Sequence, residues 1–275
     1  MGKNLLQGKR GIIFGALNES SIAWQVAEKC AAEGAQIVLT NAPVAARVGQ
    51  TEALATRLNA PLIYADVTKM EDLENLVTQS VEKLGGKLDF VLHSVGMSLN
   101  VRKKVPYTEL NYDWMHTSID ISAMSFHRLM QVLYKHDAVN EWGSIVALTY
   151  IAAQRVFPDY SEMAEAKSML ESIARSFGYH YGKHKHVRVN TISQSPTYTT
   201  AGSGVGGFDA FYNYSNQMSP LGNASAEDCA NFCISMFSDY TRMVTMQNLY
   251  HDGGFSTTGI AQDFMESFSN AAQGK

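Results

Sequence analysis

The sequence predicts an α/β fold: a doubly wound parallel sheet of about seven strands with helices on both faces. Short apolar runs of strand length alternate with stretches of helical periodicity from Gly11 to Tyr250. The connections between these runs are short, as consecutive units of such a sheet require. No Pro/Ser-rich linker, internal repeat or low-complexity tract divides the chain, so residues 1–275 read as one domain.

Gly11–Phe14 is the first strand, and Gly15–Ser21 is the turn after it. The spacing of Ile22, Val26, Ala27 and Cys30 predicts a helix over Ile22–Ala32, ended by Gly34. Gln36–Thr40 is the second strand. A strand–turn–helix–strand opening of this kind begins dinucleotide-binding folds. Its glycine fingerprint is partial, because Gly15 is present but Ser20-Ser21-Ile22-Ala23 stands where later glycines would be. Ser20 or Ser21 is placed to cap the helix while its free N–H groups receive a pyrophosphate. An ordinary capped turn is the other reading.

Pro61–Tyr64 is the third strand, running into Ala65-Asp66-Val67. Asp66 is placed either to accept from an adenine amino group or simply to form a turn. Glu71–Leu84 follows as a helix with Leu73, Leu76, Val77, Ser80 and Leu84 on one face. Leu88–His93 is the fourth strand and ends in Ser94-Val95-Gly96, where glycine lets the chain pass close beneath a ring system. Met97–Tyr112 is a polar loop with a basic knot, Arg102-Lys103-Lys104, which is a solvated face or a contact for an acidic carrier. Tyr112–His136 reads as one long helix with Met115, Ile119, Ser122, Phe126, Leu129 and Leu133 near its buried side.

Ser144–Thr149 is the fifth strand, Val187–Ile192 the sixth and Met246–Tyr250 the last, with a helix over Ala226–Phe237. Between the fifth and sixth, Ser161–Tyr181 reads as a helix whose start signals are Pro158 and Asp159. Tyr160 and Lys167 are seven residues apart. On an α-helix that places both on one face, about 10 Å apart along the axis. A phenol and an ammonium beside a buried strand end suit acid catalysis next to an anionic or sugar-bearing cofactor; for the pair alone, an exposed helix face is the plainer reading. Lys183–His186 reads as a solvated connection and not a metal site. Gly202, Gly204, Gly206 and Gly207, followed by Phe208, Phe211, Tyr212 and Tyr214, predict a mobile lid over an apolar substrate around residues 197–218, with a surface linker as the alternative.

A net charge of −4 gives no basic footprint for nucleic acid. No apolar run approaches the ~18 residues of a membrane span. The first ten residues, Met1–Arg10, lack the apolar core of a signal peptide. Three cysteines, Cys30, Cys229 and Cys233, fall in helix-like stretches without a metal-ligand pattern and read as buried thiols. A cytoplasmic location and no metal are the expectations.

Several of these residues together resemble the short-chain dehydrogenase/reductase superfamily, and within it the enoyl-acyl-carrier-protein reductases of bacterial fatty acid synthesis. The anchors are Gly15 with Ser21-Ile22-Ala23, Asp66-Val67, His93-Ser94-Val95-Gly96, Tyr150 with Tyr160 and Lys167, Arg188-Val189-Asn190 and Asp252-Gly253-Gly254-Phe255. Most short-chain dehydrogenases space tyrosine and lysine as Tyr-x3-Lys. The Tyr-x6-Lys found here, with a second tyrosine ten residues earlier, is the spacing of the enoyl reductases. The serine of ordinary carbonyl reductases has no counterpart in Ala147-Leu148-Thr149-Tyr150.

The resemblance implies a Rossmann-like fold and reduction of a trans-2-enoyl thioester on acyl carrier protein, with NADH as cofactor and NADPH as the alternative. It implies that Tyr160 aims its hydroxyl at the thioester oxygen, that Lys167 holds the nicotinamide ribose, and that Tyr150 lines the thioester site and assists the later protonation, all three being catalytic. By the same resemblance Gly15, Ser21 and Ile22 meet the pyrophosphate, and Asp66 and Val67 the adenine. Ser94, Val95, Gly96, Thr197, Thr199 and Ala201 border the cofactor; Ser98 and Phe208 border the substrate. A homotetramer is implied as well. Two departures stand out: Ser195-Pro-Thr-Tyr-Thr199 lacks the arginine common after the sixth strand, and Thr40-Asn41-Ala42 is expected to lack the amide that relatives use on the adenosine. The rival readings are a short-chain carbonyl or alcohol dehydrogenase and a non-catalytic dinucleotide-sensing protein.

Overall fold

The computed structural model describes residues 3–200 and 202–272. The strands are β1 (Arg10–Phe14), β2 (Gln36–Asn41), β3 (Leu62–Tyr64), β4 (Leu88–His93), β5 (Val139–Thr149), β6 (Arg188–Gln194) and β7 (Asn248–His251). They form one sheet in the order β3-β2-β1-β4-β5-β6-β7, with every neighbouring pair parallel. The chain therefore reverses its direction of travel across the sheet between β1 and β4. The carboxyl ends of those two strands open a crevice there, the place where such sheets bind ligands.

The helices are α1 (Ile22–Ala32), α2 (Ala45–Val48), α3 (Thr51–Leu58), α4 (Met70–Leu84), α5 (Leu99–Lys103), α6 (Tyr112–Ile119), α7 (Ser125–Lys135), α8 (Met163–Lys185), α9 (Phe208–Met218), α10 (Ala226–Phe237) and α11 (Gln262–Ala272). The period of two along the strands decides which of them cover which face. Ile12, Phe14, Val38 and Val91 pack with Leu73 and Leu76 of α4, Phe126 and Leu129 of α7 and Leu170 of α8. Their neighbours Ile13, Leu39, Phe90 and Leu92 point the other way, onto Ala23 and Val26 of α1, Leu54 of α3 and Cys233 and Phe237 of α10. Each fully buried aliphatic or aromatic side chain contributes about 1.5–3 kcal/mol. The sheet is thus fixed from both sides, as the alternating sequence required.

All five residues assigned to the inner face of α4 are buried. The three cysteines are free and buried. The helix expected over Tyr112–His136 is broken. A π-turn at Asp120–Met124 separates α6 from α7, and Met115 and Ile119 are only half-buried. The wider turn changes the helical phase, a recurrent feature of functional sites. Here it leaves Ser122 buried, with its Oγ accepting from the Met97 N–H at 3.0 Å. Lys183 to Lys185, read as a connection, form the last turn of α8. The stretch 42–60 contributes α2 and α3, and the glycine-rich stretch leads directly into α9. Among the described residues no helix is long and apolar enough to cross a membrane.

Candidate active site

The carboxyl ends of β1 to β4 enclose a cavity of about 110 Å³, and Gly15, Asn41, Asp66, Val67, Val95 and Ile121 are among its lining residues. Gly15 is required on two counts. Its φ is +92°, and a Cβ there would lie 2.0 Å from the Ser94 carbonyl oxygen. The turn after β1 thus runs hard against the end of β4. Asp66 serves as a turn former, its Oδ1 accepting from Thr68 N (3.0 Å) and Thr68 Oγ1 (2.7 Å). These bonds and Lys69 hold its carboxyl below the usual carboxylate range despite partial burial. Asp66 also lines the cavity.

Asn41 corrects the expectation that this turn lacks an amide. Its Oδ1 accepts from Ala42 N at 2.9 Å, while its buried Nδ2 has no partner. The Thr40 hydroxyl is buried without a partner as well. Buried donors left unsatisfied are uncommon and costly. Two of them beside the cavity fit the polar edge of an adenosine.

Ser21 occupies the N-cap position of α1 but makes no side-chain cap. Its hydroxyl pairs instead with Asn18, so the expected serine cap is absent. Ile22 opens the helix, and an uncapped helix N-terminus favours an anion. Asn18 reaches across to donate to Thr200 Oγ1 at 2.8 Å, latching the loop after β6 onto the turn after β1. Thr197 and Thr199 spend their hydroxyls within their own loop, on Ser195 O (3.0 Å) and from Gly202 N (2.9 Å). Ala201 lies outside the described residues.

Tyr150 and Tyr160 meet at the end of β5 with ring centroids 5.1 Å apart. Phe157 packs on Tyr150 at 5.3 Å and Phe211 at 6.0 Å, edge to face. Burial raises the pKa of both phenols, and for Tyr150 the proximity of Tyr160 and Asp252 adds to it. Both remain protonated donors at any working pH, and the Tyr150 Oη is buried without a partner. Tyr160 is not on the helix with Lys167, as its spacing suggested. It closes a 3₁₀ turn, Pro158–Tyr160, and Ser161 (φ 46°, ψ −142°) separates that turn from α8. The aromatic pocket holds Tyr160 in place, and a helix continued back through Ser161 would carry it out.

Lys167 is 8% exposed and donates to the Leu148 carbonyl at 2.9 Å, two residues before Tyr150. A Cβ on Gly96 would lie 3.8 Å from its Nζ, so the ammonium also faces the end of β4. Burial lowers its pKa to about 8, against an opposing pull from Glu171. Buried His93, with Lys167 nearby, falls to about 3 and is neutral. Val95 and Gly96 therefore lie between the cavity and Lys167.

Ser98 is committed elsewhere. Its Oγ donates to Glu162 Oε1 at 2.6 Å and accepts from Val101 N at 3.0 Å, capping α5. Glu162 is fully buried and also accepts from Ser118 Oγ at 2.6 Å. It ties the loop after β4, α6 and the start of α8 into one unit. Sequence reasoning missed it because a glutamate opening a helix reads as solvated. Phe208 is buried against Tyr198, 5.0 Å away, and it is Phe211, one helical turn on, that faces Tyr150. A larger open cleft of about 560 Å³ lies between Asn216–Pro220 and Thr258–Asp263, away from these groups.

The family model described as "Enoyl-(Acyl carrier protein) reductase" matches residues 15–256. The chain belongs to that family. Among its relatives, enoyl-[acyl-carrier-protein] reductase [NADH] 1 of Rhizobium meliloti is 35% identical over 259 residues, spanning 93% of each chain. The corresponding Aquifex aeolicus reductase is 32% identical over 259 residues, covering 93% of this chain and 94% of its own. Among solved structures, the FabI–NADH complex from Alistipes finegoldii superposes with a TM-score of 0.93 at 60% identity, covering 94% of this chain and 91% of that one. Thr149, next to Tyr150 at the end of β5, is buried. Its hydroxyl donates at 2.8 Å to the buried carboxylate of Glu171.

Proposed function

We propose that this chain reduces the trans-2 double bond of enoyl thioesters borne on acyl carrier protein, with NADH, in the last step of each fatty acid elongation cycle. The observation that carries the reading is the ring-to-ring pair Tyr150–Tyr160 in an aromatic pocket, with the buried ammonium of Lys167 bonded to the same strand end. A bound reduced nicotinamide supplies the hydride to the β-carbon. Gly15, Ser21, Ile22, Asn41, Asp66 and Val67 hold the adenosine and pyrophosphate side, and Ser94, Val95, Gly96, Thr197, Thr199 and Lys167 the remainder. Among the described residues no lysine or arginine lines the cavity, which favours NADH over a 2′-phosphorylated cofactor.

Tyr160 donates to the thioester oxygen as negative charge develops there. A donor aimed where charge appears stabilises the transition state more than the ground state. Lys167 holds ribose hydroxyls and biases the local field toward an anion. Tyr150 closes the pocket over the thioester, and its unpartnered hydroxyl assists the later protonation of the α-carbon. Residues 197–218 act as a lid, with Phe211 as well as Phe208 covering the acyl chain. A cytoplasmic homotetramer belongs to the same reading.

The test is NADH oxidation with a crotonyl thioester, set beside a panel of ketones. Turnover of the thioester alone is expected. Turnover of ketones alone, or cofactor binding without turnover, would overturn the assignment.

A further inference from the structure

We infer that Arg102, Lys103 and Lys104 form the docking surface for the acidic face of the acyl carrier protein, a surface that rests on the function proposed above. All three side chains are exposed, and none forms an ion pair among the described residues. Other exposed cations are neutralised by a carboxylate, as in Lys69 with Asp66, Lys87 with Asp137 and Lys135 with Glu74. Three consecutive unneutralised charges on a chain of net charge −4 set up a local field opposite to that of the whole molecule.

Position turns this patch into a docking surface. A Cβ on Gly204 would lie 3.7 Å from Arg102 Cγ, and one on Gly206 would lie 3.8 Å from Lys104 Cγ. The basic stems thus run along the glycine-rich segment that leads into Phe208 and Phe211. On the other side, Val105 O accepts from Ser161 Oγ at 3.5 Å, next to Tyr160. The patch therefore borders the mouth of the pocket on both of its edges, the lid and the tyrosine turn. The first turn of α9 across that mouth carries Asp209 and no cation, and exposed Asp159 lies within 3.9 Å of the Gly206 position, so 102–104 is where positive charge is concentrated. A substrate tethered to an acidic protein through a flexible phosphate-bearing arm needs such an arrangement. The cations hold the carrier while the uncharged end of the arm enters between lid and tyrosines.

The test uses the full-length enzyme with two substrates, crotonyl-acyl carrier protein and crotonyl-N-acetylcysteamine, a small thioester with no charge. In Lys103→Glu, and in Lys103→Glu/Lys104→Glu, kcat/KM for the carrier-borne substrate is expected to fall about tenfold or more at low salt, with the loss in KM. The salt dependence of the wild type is expected to flatten in the variants. The small thioester is expected to turn over within about twofold of wild type. Equal losses on both substrates would mean that the patch supports the fold and not the carrier, and no loss on either would remove it from the interaction; both overturn the inference. Wild-type turnover of the small thioester separates these outcomes from failure of the reductase assignment itself, because a wild type that turns over neither substrate refutes both.

Discussion

Replacing Lys167 by methionine should leave the folded protein as stable as wild type or more so, while removing cofactor affinity. The reasoning starts from burial. A lysine pKa brought from 10.5 to about 8 means the protein interior favours the neutral amine over the ammonium. At about 1.4 kcal/mol per pKa unit, that is about 3 kcal/mol. Below pH 8 the folded protein carries this cost in full, since the side chain is charged in both the folded and the unfolded chain. Methionine removes the charge at similar length. The loss is the bond to the Leu148 carbonyl, which leaves an acceptor short by about 1–3 kcal/mol. The net expectation at pH 7 is a gain of about 0–2 kcal/mol, or up to about 4 °C in Tm.

The pH dependence has a definite sign. Between about 8 and 10.5 the unfolded chain keeps the lysine proton while the folded chain gives it up, so wild-type stability rises with pH through this window. The advantage of the variant should therefore shrink as pH increases. Chemical unfolding of apo wild type and Lys167→Met from pH 7 to 10 reads this difference directly, with other titrating groups cancelling. NADH binding by calorimetry should weaken about 10- to 100-fold in the variant, and wild-type affinity should decline above about pH 8 as the ammonium is lost. A variant destabilised by more than about 2 kcal/mol at pH 7, or one that binds NADH normally, would refute the account of Lys167 as a charge held at a cost for the cofactor.

Three further substitutions probe neighbouring steps. Tyr160→Phe should lower kcat about 10²- to 10³-fold with NADH affinity within about twofold, by stopped-flow and calorimetry; turnover within tenfold of wild type would remove Tyr160 from the reaction. Gly15→Ala forces a Cβ to 2.0 Å from the Ser94 carbonyl at a φ of +92°, so denaturant unfolding should show a loss of about 3 kcal/mol or more. An unchanged midpoint would contradict the close approach of the two strand ends. Ser161→Gly relieves a positive φ and should add about 1 kcal/mol to stability, read as a higher Tm. A lower Tm would show that Ser161 is held there by contacts and not against strain.

The strands and the inner face of α4 were legible because each depends on a local pattern. Leu73, Leu76, Val77, Ser80 and Leu84 follow the helical period whatever packs against them, and Leu88–His93 is apolar over strand length wherever it pairs. The π-turn left no such trace. One wide turn between Ile119 and Ser125 changes the phase by less than the scatter of apolar positions, so the sequence read as continuous helix. Tyr160 failed for a different reason. The residues after it are good helix formers, but aromatic contacts with Tyr150, about ten residues away, pull it out of the helix. Glu162, Asn41 and the Thr149–Glu171 bond were illegible because their meaning lies in partners from other elements. A carboxylate satisfied by Ser98 and Ser118 looks, in sequence, like any solvated glutamate.

These tertiary contacts also determine which group in the site can change charge. Burial pushes Tyr150 and Tyr160 up, so neither becomes a phenolate under working conditions. The same burial, with Lys167 close by, takes His93 down to about 3 and removes it as a proton carrier near neutrality. Lys167, at about 8, stays closer to physiological pH than these three groups. Desolvation acts on all four groups, but it favours the neutral form of each, which means opposite directions for phenol and ammonium. The result is two fixed hydroxyl donors beside one ammonium in an apolar enclosure. In the proposed reaction that combination would stabilise an oxyanion without first ionising a tyrosine, and the low local dielectric would strengthen it. In the proposed reaction the alkaline limb of activity is expected to follow the lysine. A carbonyl reductase relying on a tyrosine driven toward its anion would need the phenol pKa lowered, and here burial moves it the other way.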